Sequence, residues 1–170
     1  MGKCQNRWLL VEFIPCTTPG PGSTNASGGQ TSSAALGAGD AELNSKQIWS
    51  ALKQSVITHF GDTGWGAVGA SLNIKYYSPR TNMCIIRVAR DHHRIAWASV
   101  TLLSSIEGQR YIPNVVHVAG TIKQAQLAAI QHNREVIARY RALARTPAGY
   151  QDSFHEYLDK STQEIEALRD

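Results

Sequence analysis

Met83–Leu103 reads M-C-I-I-R-V-A-R-D-H-H-R-I-A-W-A-S-V-T-L-L. Its first seven residues are apolar and β-branched with one basic side chain among them, the composition of a strand. Asp91 then stands where a helix N-cap is expected, and an apolar-rich helix follows from His92 to about Ile106. Arg87, Arg90, His92, His93 and Arg94 crowd the junction. A helix N-terminus already presents unpaired N–H groups and the positive end of a dipole, so gathering guanidinium groups there adds self-repulsion. An anion relieves it, and phosphate is the anion that helix N-termini and arginines both bind.

Upstream, Ala70–Tyr77 alternates as a strand, with Leu72, Ile74 and Tyr76 on one side and Ser71, Asn73, Lys75 and Tyr77 on the other. Ser78–Asn82 makes the turn back. A hairpin centred near Thr81 sets Lys75 opposite or diagonal to Arg87, and like charges across a strand pair are destabilising. A shared anionic contact accounts for them. Tyr77 on that side either stacks on a base or packs beneath a loop.

Arg7–Pro15 reads as a first strand, with Trp8, Leu10 and Glu12 facing one way and Leu9, Val11 and Phe13 the other. Cys16–Gly39 is Thr, Pro, Gly, Ser and Ala without charge or period, the composition of a flexible insertion. Ser45 caps a helix to about Phe60, and Gly61 stops it. Gly64, Gly66 and Gly69 match G-x-G-x-x-G, but a helix precedes them and a strand follows, the reverse of a dinucleotide site. The glycines serve a sharp turn or close packing, and the N–H groups of such a loop suit an RNA phosphate.

Downstream, Gly108 ends the second helix, Arg110–Pro113 connects, and Asn114–Ala119 is a fourth strand. Thr121 caps a long helix whose inner stripe is Ile122, Ala125, Ala129, Ile130, Asn133, Val136, Ile137 and Tyr140. Lys123, Arg134, Arg141 and Arg145 share another side, which suits either an RNA backbone or a solvated helix surface. Pro147 and Gly149 break the chain before an acidic amphipathic helix, Tyr150–Leu168.

The element order is the split β-α-β pattern of an α+β ferredoxin-like, or RRM-like, domain: a four-stranded antiparallel sheet with helices on one face, plus extra C-terminal helices. Residues 1–15 supply the first strand, 16–42 the insertion, 43–146 the rest of the domain and 147–170 the acidic helix. The third strand lacks the aromatic RRM motif, so stacking on the sheet face is not expected. Trp8, Leu10, Ile85 and Arg87 on that face are left for a partner or for a helix of the same chain.

Charge is distributed unevenly. Residues 63–149 hold eleven basic against three acidic side chains, whereas 150–170 hold two against six. A basic body favours a nucleic-acid partner. No run approaches the roughly 18 apolar residues of a membrane span, so no membrane association is expected. Cys4, Cys16 and Cys84 lack paired spacing, which fits a reducing compartment. The six histidines offer no i, i+4 pair and no cysteine at zinc spacing. There is no G-x-S-x-G, no Walker A motif and no carboxylate cluster for two-metal chemistry. No catalytic or metal-ligating residue is therefore assigned. The alternatives to an RNA-binding protein are a protein–protein module of the same fold and a small metal-free ribonuclease using His92 and His93.

Three blocks in order, F-G-D-T-G-W-G-A-V-G-A-S-L-N-I-K-Y-Y-S-P-R-T (60–81), I-I-R-V-A-R-D-H-H-R-I-A-W-A-S-V (85–100) and G-T-I-K-Q-A-Q-L-A-A-I-Q-H-N-R (120–134), resemble the Pop-five protein subunit family of ribonuclease P and ribonuclease MRP. The departures are the insertion and Ala89, where the family pattern leads one to expect proline. The resemblance implies a place in a ribonucleoprotein that removes 5′ leaders from precursor tRNA, with rRNA processing for the MRP form. It implies that Mg2+ sits in the RNA active site, with no cofactor on the protein itself. The implied partners are the ribonuclease P/MRP RNA, precursor tRNA, a TIM-barrel-like protein subunit and other subunits, in the nucleus and nucleolus. By motif position, it implies RNA contacts from Lys75, Arg80, Arg87, Arg90, His92, His93 and Arg94, with Gly64 and Gly66 nearby.

Overall fold

The computed structural model describes residues 5–16, 43–144 and 153–169. The expected insertion, apart from Cys16, and the break at Pro147 and Gly149 lie outside the described residues. The elements are β1 (Asn6–Pro15), α1 (Ser45–Val68), β2 (Asn73–Ser78), β3 (Met83–Ala89), a 3₁₀ turn (Arg90–His92) and α2 (His93–Thr101). Then come β4 (Ser105–Ile106), β5 (Gln109–Ala119), α3 (Ile122–Ala144) and α4 (Ser153–Glu166). The sheet is antiparallel in the order β2-β3-β1-β5-β4, five strands rather than four.

The extra strand forms because α2 ends earlier than its apolar spacing implies. Apolar spacing carries α2 to Ile106, but the helix stops at Thr101 and Ile106 is buried in a two-residue strand. Glu107 and Gly108, at φ 49° and 81°, make the turn of a tight hairpin, which commits the residues before them to β4. The supposed connector Arg110–Pro113 is therefore part of β5, with Tyr111 paired to Pro15.

Strict alternation along β1 splits its side chains between two cores. Leu9, Val11 and Phe13 join Cys84, Ile86 and Val88 beneath Ile48, Leu52 and Val56 of α1 and Ala96 and Val100 of α2. Trp8, Leu10, Met83 and Ile85 face Ala125, Ala129 and Ile130 of α3 and Ile165 of α4. Helices lie on both faces rather than on one, and of the two occupants expected on the Trp8 side it is the chain's own helices that cover it.

Asn44, not Ser45, caps α1: its side chain accepts from Lys46 N, and Gln47 Oε1 accepts from Asn44 N at 2.8 Å. Gly61, at φ 66°, breaks the helix as expected, but the chain turns helical again through Val68. The glycine-rich run is thus no open loop. Gly64 is buried, and a Cβ there would collide with Phe60 Cβ, so close packing is its use. Thr121 caps α3, accepting from Gln124 N at 3.3 Å.

A bulge reverses the faces of β2. Ile74 pairs with Ile86 and Tyr76 with Ile85, leaving Lys75 as the extra residue. Tyr77 consequently joins Ile74 on the α1–α2 side, its hydroxyl donating to Asn82 Oδ1 at 3.1 Å. Tyr76 turns to the other side and meets Ser161 Oγ at 2.8 Å. Tyr77 is not presented for base stacking.

α4 is seated by hydrogen bonds as much as by Ile165. Asn133 Nδ2 donates to Ser161 Oγ, Thr81 Oγ1 donates to Asn133 Oδ1, and the hydroxyls of Ser78 and Tyr157 meet. Gln126 Nε2 donates to the carbonyls of Ile165, Glu166 and Leu168, satisfying groups that a helix C-terminus leaves open.

Candidate nucleic-acid interface

One end of the sheet collects cations from separate parts of the chain. β1 begins there and β3 and β5 end there, since Asn6 pairs with Ala89 and Trp8 with Ala119. Both α2 and α3 start from the same end. Arg90 and Arg94 are exposed where α2 begins, and Lys123 is exposed in the first turn of α3. Arg7 joins them: its Nη1 lies 3.4 Å from where a Cβ on Gly120 would stand, between β5 and α3. Two helix N-termini thus open onto a rim carrying Arg7, Arg90, Arg94 and Lys123, where N–H dipoles and side-chain charge favour the same anion.

The corner itself is built differently from the sequence expectation. Asp91 is not the cap of α2; it lies exposed in the 3₁₀ turn, and no side chain caps the helix. Arg90 N donates to Gln5 O at 2.7 Å, which prolongs the β1–β3 pairing and fixes the turn. His93 Nδ1 donates to Arg90 O at 2.6 Å, so this ring holds the turn closed. His92 is exposed.

Other residues expected to contact RNA lie away from this rim. Arg87 is half-buried and opposite Trp8, on the α3–α4 side of the sheet. Asn73, rather than Lys75, stands opposite Arg87. Lys75 marks the bulge of an edge strand, and a lysine and a bulge together discourage pairing with another sheet edge. Arg80 sits in the hairpin at the far end, its guanidinium 5.3 Å from the Tyr157 ring and 5.9 Å from that of Phe154. Gly64 and Gly66 are helical.

One contributor escaped the sequence reading. Arg7 lies outside the R-V-x-R-D-H-x-R corner, and only the strand register brings it there. Lys123 belongs to the expected α3 group, whose face is itself a candidate for an RNA backbone. On α3, Arg134 lies three turns along the same helix face, about 16 Å from Lys123, so a cationic stripe runs from the rim down α3, while Arg145 lies outside the described residues. Among the described residues, no group of three or more His, Cys, Asp or Glu side chains is placed to hold a metal ion, and no helix is long and apolar enough to cross a membrane.

The fold and this surface define a small α+β protein, its sheet sealed on both faces and its cations gathered at one rim. The Rpp14/Pop5 family profile matches residues 7–130, and the chain belongs to that family. It is 42% identical over 98 residues to the ribonuclease P/MRP protein subunit POP5 of Schizosaccharomyces pombe, covering 58% of this chain and 70% of that protein. A probable ribonuclease P/MRP protein subunit POP5 of Arabidopsis thaliana is 34% identical over 85 residues, covering 50% of this chain and 56% of that protein. The Saccharomyces cerevisiae subunit of the same name is 27% identical over 138 residues, covering 81% of this chain and 80% of that protein. A chain in the cryo-EM structure of yeast ribonuclease MRP aligns over 98% of this chain and 95% of that chain, with a TM-score of 0.49 and 11% identity.

Proposed function

We propose that this chain is a non-catalytic, RNA-binding protein subunit of ribonuclease P, ribonuclease MRP or both. Family membership and the names of its relatives support the assembly. The rim of Arg7, Arg90, Arg94 and Lys123 at two helix N-termini is the observation that carries the RNA contact. In this reading the rim and the α3 stripe bind phosphates of the long RNA and brace it, while Mg2+ in the RNA performs the removal of 5′ leaders from precursor tRNA, or the rRNA cleavage of the MRP form. A TIM-barrel-like subunit is the proposed direct protein partner, and the nucleus and nucleolus the proposed location. The four-strand core order β2-β3-β1-β5 with α1 and α2 as crossovers supports the RRM-like description.

The test is RNA binding by the full chain across a salt series. Phosphate contacts make affinity fall steeply with salt, by a slope of about −0.7 to −0.9 per phosphate. Arg90→Glu with Arg94→Glu should weaken binding strongly and flatten the slope by about 1.5. Unchanged affinity and slope would remove the rim from the RNA surface.

A further inference from the structure

α2 turns a second surface outward. Arg94, Trp97, Ala98, Thr101 and Leu102 fall at helical spacing and line one open groove of about 410 Å³. Ala96, Ser99 and Val100 supply the buried side of the helix, so the core makes no use of this stripe. Trp97 is 42% exposed and Leu102 50%. The other tryptophans are engaged: Trp8 is buried, while Trp49 and Trp65 pack edge to face at 5.6 Å beneath Lys53 Nζ. Trp97 alone of the four belongs to the exposed large apolar side chains.

Position gives the groove its meaning. Arg94 belongs both to the rim and to the groove, so the apolar stripe begins where the phosphate-binding surface ends. We infer that Trp97, which shares its groove with Arg94, is a stacking platform for an unpaired RNA base whose adjoining phosphates lie on the rim. The inference rests on the RNA-binding reading above and adds the class of nucleotide selected. Bases in single strands, bulges and loops splay out and stack on aromatic rings and guanidinium planes, whereas those in an A-form helix are closed to such insertion. Area argues for a base over a protein. Two half-exposed side chains on a stripe about 12 Å long fall far short of the roughly 800 Å² that a stable protein interface takes from each partner. A base needs one ring face.

The experiment measures binding of the full chain to a short single-stranded oligoribonucleotide and to a duplex of the same length, with tryptophan fluorescence as a second readout. Trp97→Leu keeps an apolar side chain and removes the ring. It should weaken single-strand binding by roughly tenfold, within the ~5- to 150-fold range of one lost stack, and leave duplex binding and the salt slope unchanged. Trp97→Phe should retain most single-strand affinity. Single-stranded RNA should quench the wild-type emission, and Trp97→Phe should abolish that quenching, which keeps the inference testable should Trp97→Leu fail to fold. Full single-strand affinity in Trp97→Leu, with loss in Arg90→Glu/Arg94→Glu, would overturn the platform and leave the rim standing. Wild-type binding in both would overturn both readings. A Trp97→Leu chain that keeps its RNA but loses a protein partner from the purified assembly would also overturn the platform, in favour of protein docking.

Discussion

Asn133 of α3 donates from Nδ2 to Ser161 Oγ of α4 at 2.9 Å, and both residues are buried. Tyr76 reaches the same serine from the sheet, and Thr81 reaches the same asparagine. Three elements therefore share one set of partners. Removing either residue strands a buried group, at a cost of about 1–3 kcal/mol. Asn133→Ala and Ser161→Ala should each lower stability by that amount in denaturant melts. The double variant should lose less than the sum, because the second substitution removes a group the first has already orphaned. Strict additivity would show that the two do not interact.

Alkaline pH should destabilise the protein from the middle of the sheet. Burial pushes the Cys84 thiol far above its ordinary value of 9.0, and burial likewise raises Tyr76, against a smaller opposing hydrogen bond from Ser161. Both groups are neutral in the folded chain and ionise more readily in the unfolded one. Their contribution is thus fully present below the unfolded pKa and is lost as pH rises. The contribution of these two groups should be level up to about pH 8.5, then fall by up to about 1.4 kcal/mol per pH unit for the thiol once the unfolded form ionises. Cys84→Ala should delay the fall to the tyrosine range near pH 10; an unaltered profile would exclude the thiol as its source.

Ala89 has φ −59° and ψ 139°, angles a proline adopts without strain. Arg90 N donates across to Gln5, so the Ala89 N–H points away from β1, and β2 pairing has already ended at Asn73 opposite Arg87. Ala89→Pro should raise stability by about 0.4–1 kcal/mol, chiefly by restricting the unfolded chain. A loss would mean that this N–H has an essential partner.

If Arg7 and Lys123 belong to one surface with Arg90 and Arg94, Arg7→Glu with Lys123→Glu should weaken RNA binding and reduce its salt slope to a similar degree as the α2 pair. Filter-binding titrations at several salt concentrations measure both quantities. Loss confined to the α2 pair would restrict the surface to the corner.

The split of β1 side chains between two faces was legible because its alternation is strict, Trp8, Leu10 and Glu12 against Leu9, Val11 and Phe13, but the pattern does not say that the chain's own helices build a second core on the Trp8 side. The same logic failed on β2, where one inserted residue, Lys75, swaps Tyr76 with Tyr77. Composition gives no sign of a bulge at a lysine. The end of α2 was misread because Leu102, Leu103 and Ile106 fit helical spacing as well as they fit what they form. At the rim, Arg90 and Arg94 were visible from the motif. Arg7 was not, because its membership depends on pairings between segments more than 75 positions apart in the numbering.

Helices cover both broad sides of the sheet, so an incoming molecule meets only its perimeter and the outer faces of those helices. A single substitution there changes what the protein holds without disturbing how it stands, while one beneath the helices does the opposite. Loss of recognition and loss of folding should therefore map to separate zones, and a mutational scan reading both at once would trace the rim as a thin contour around a fold-critical interior.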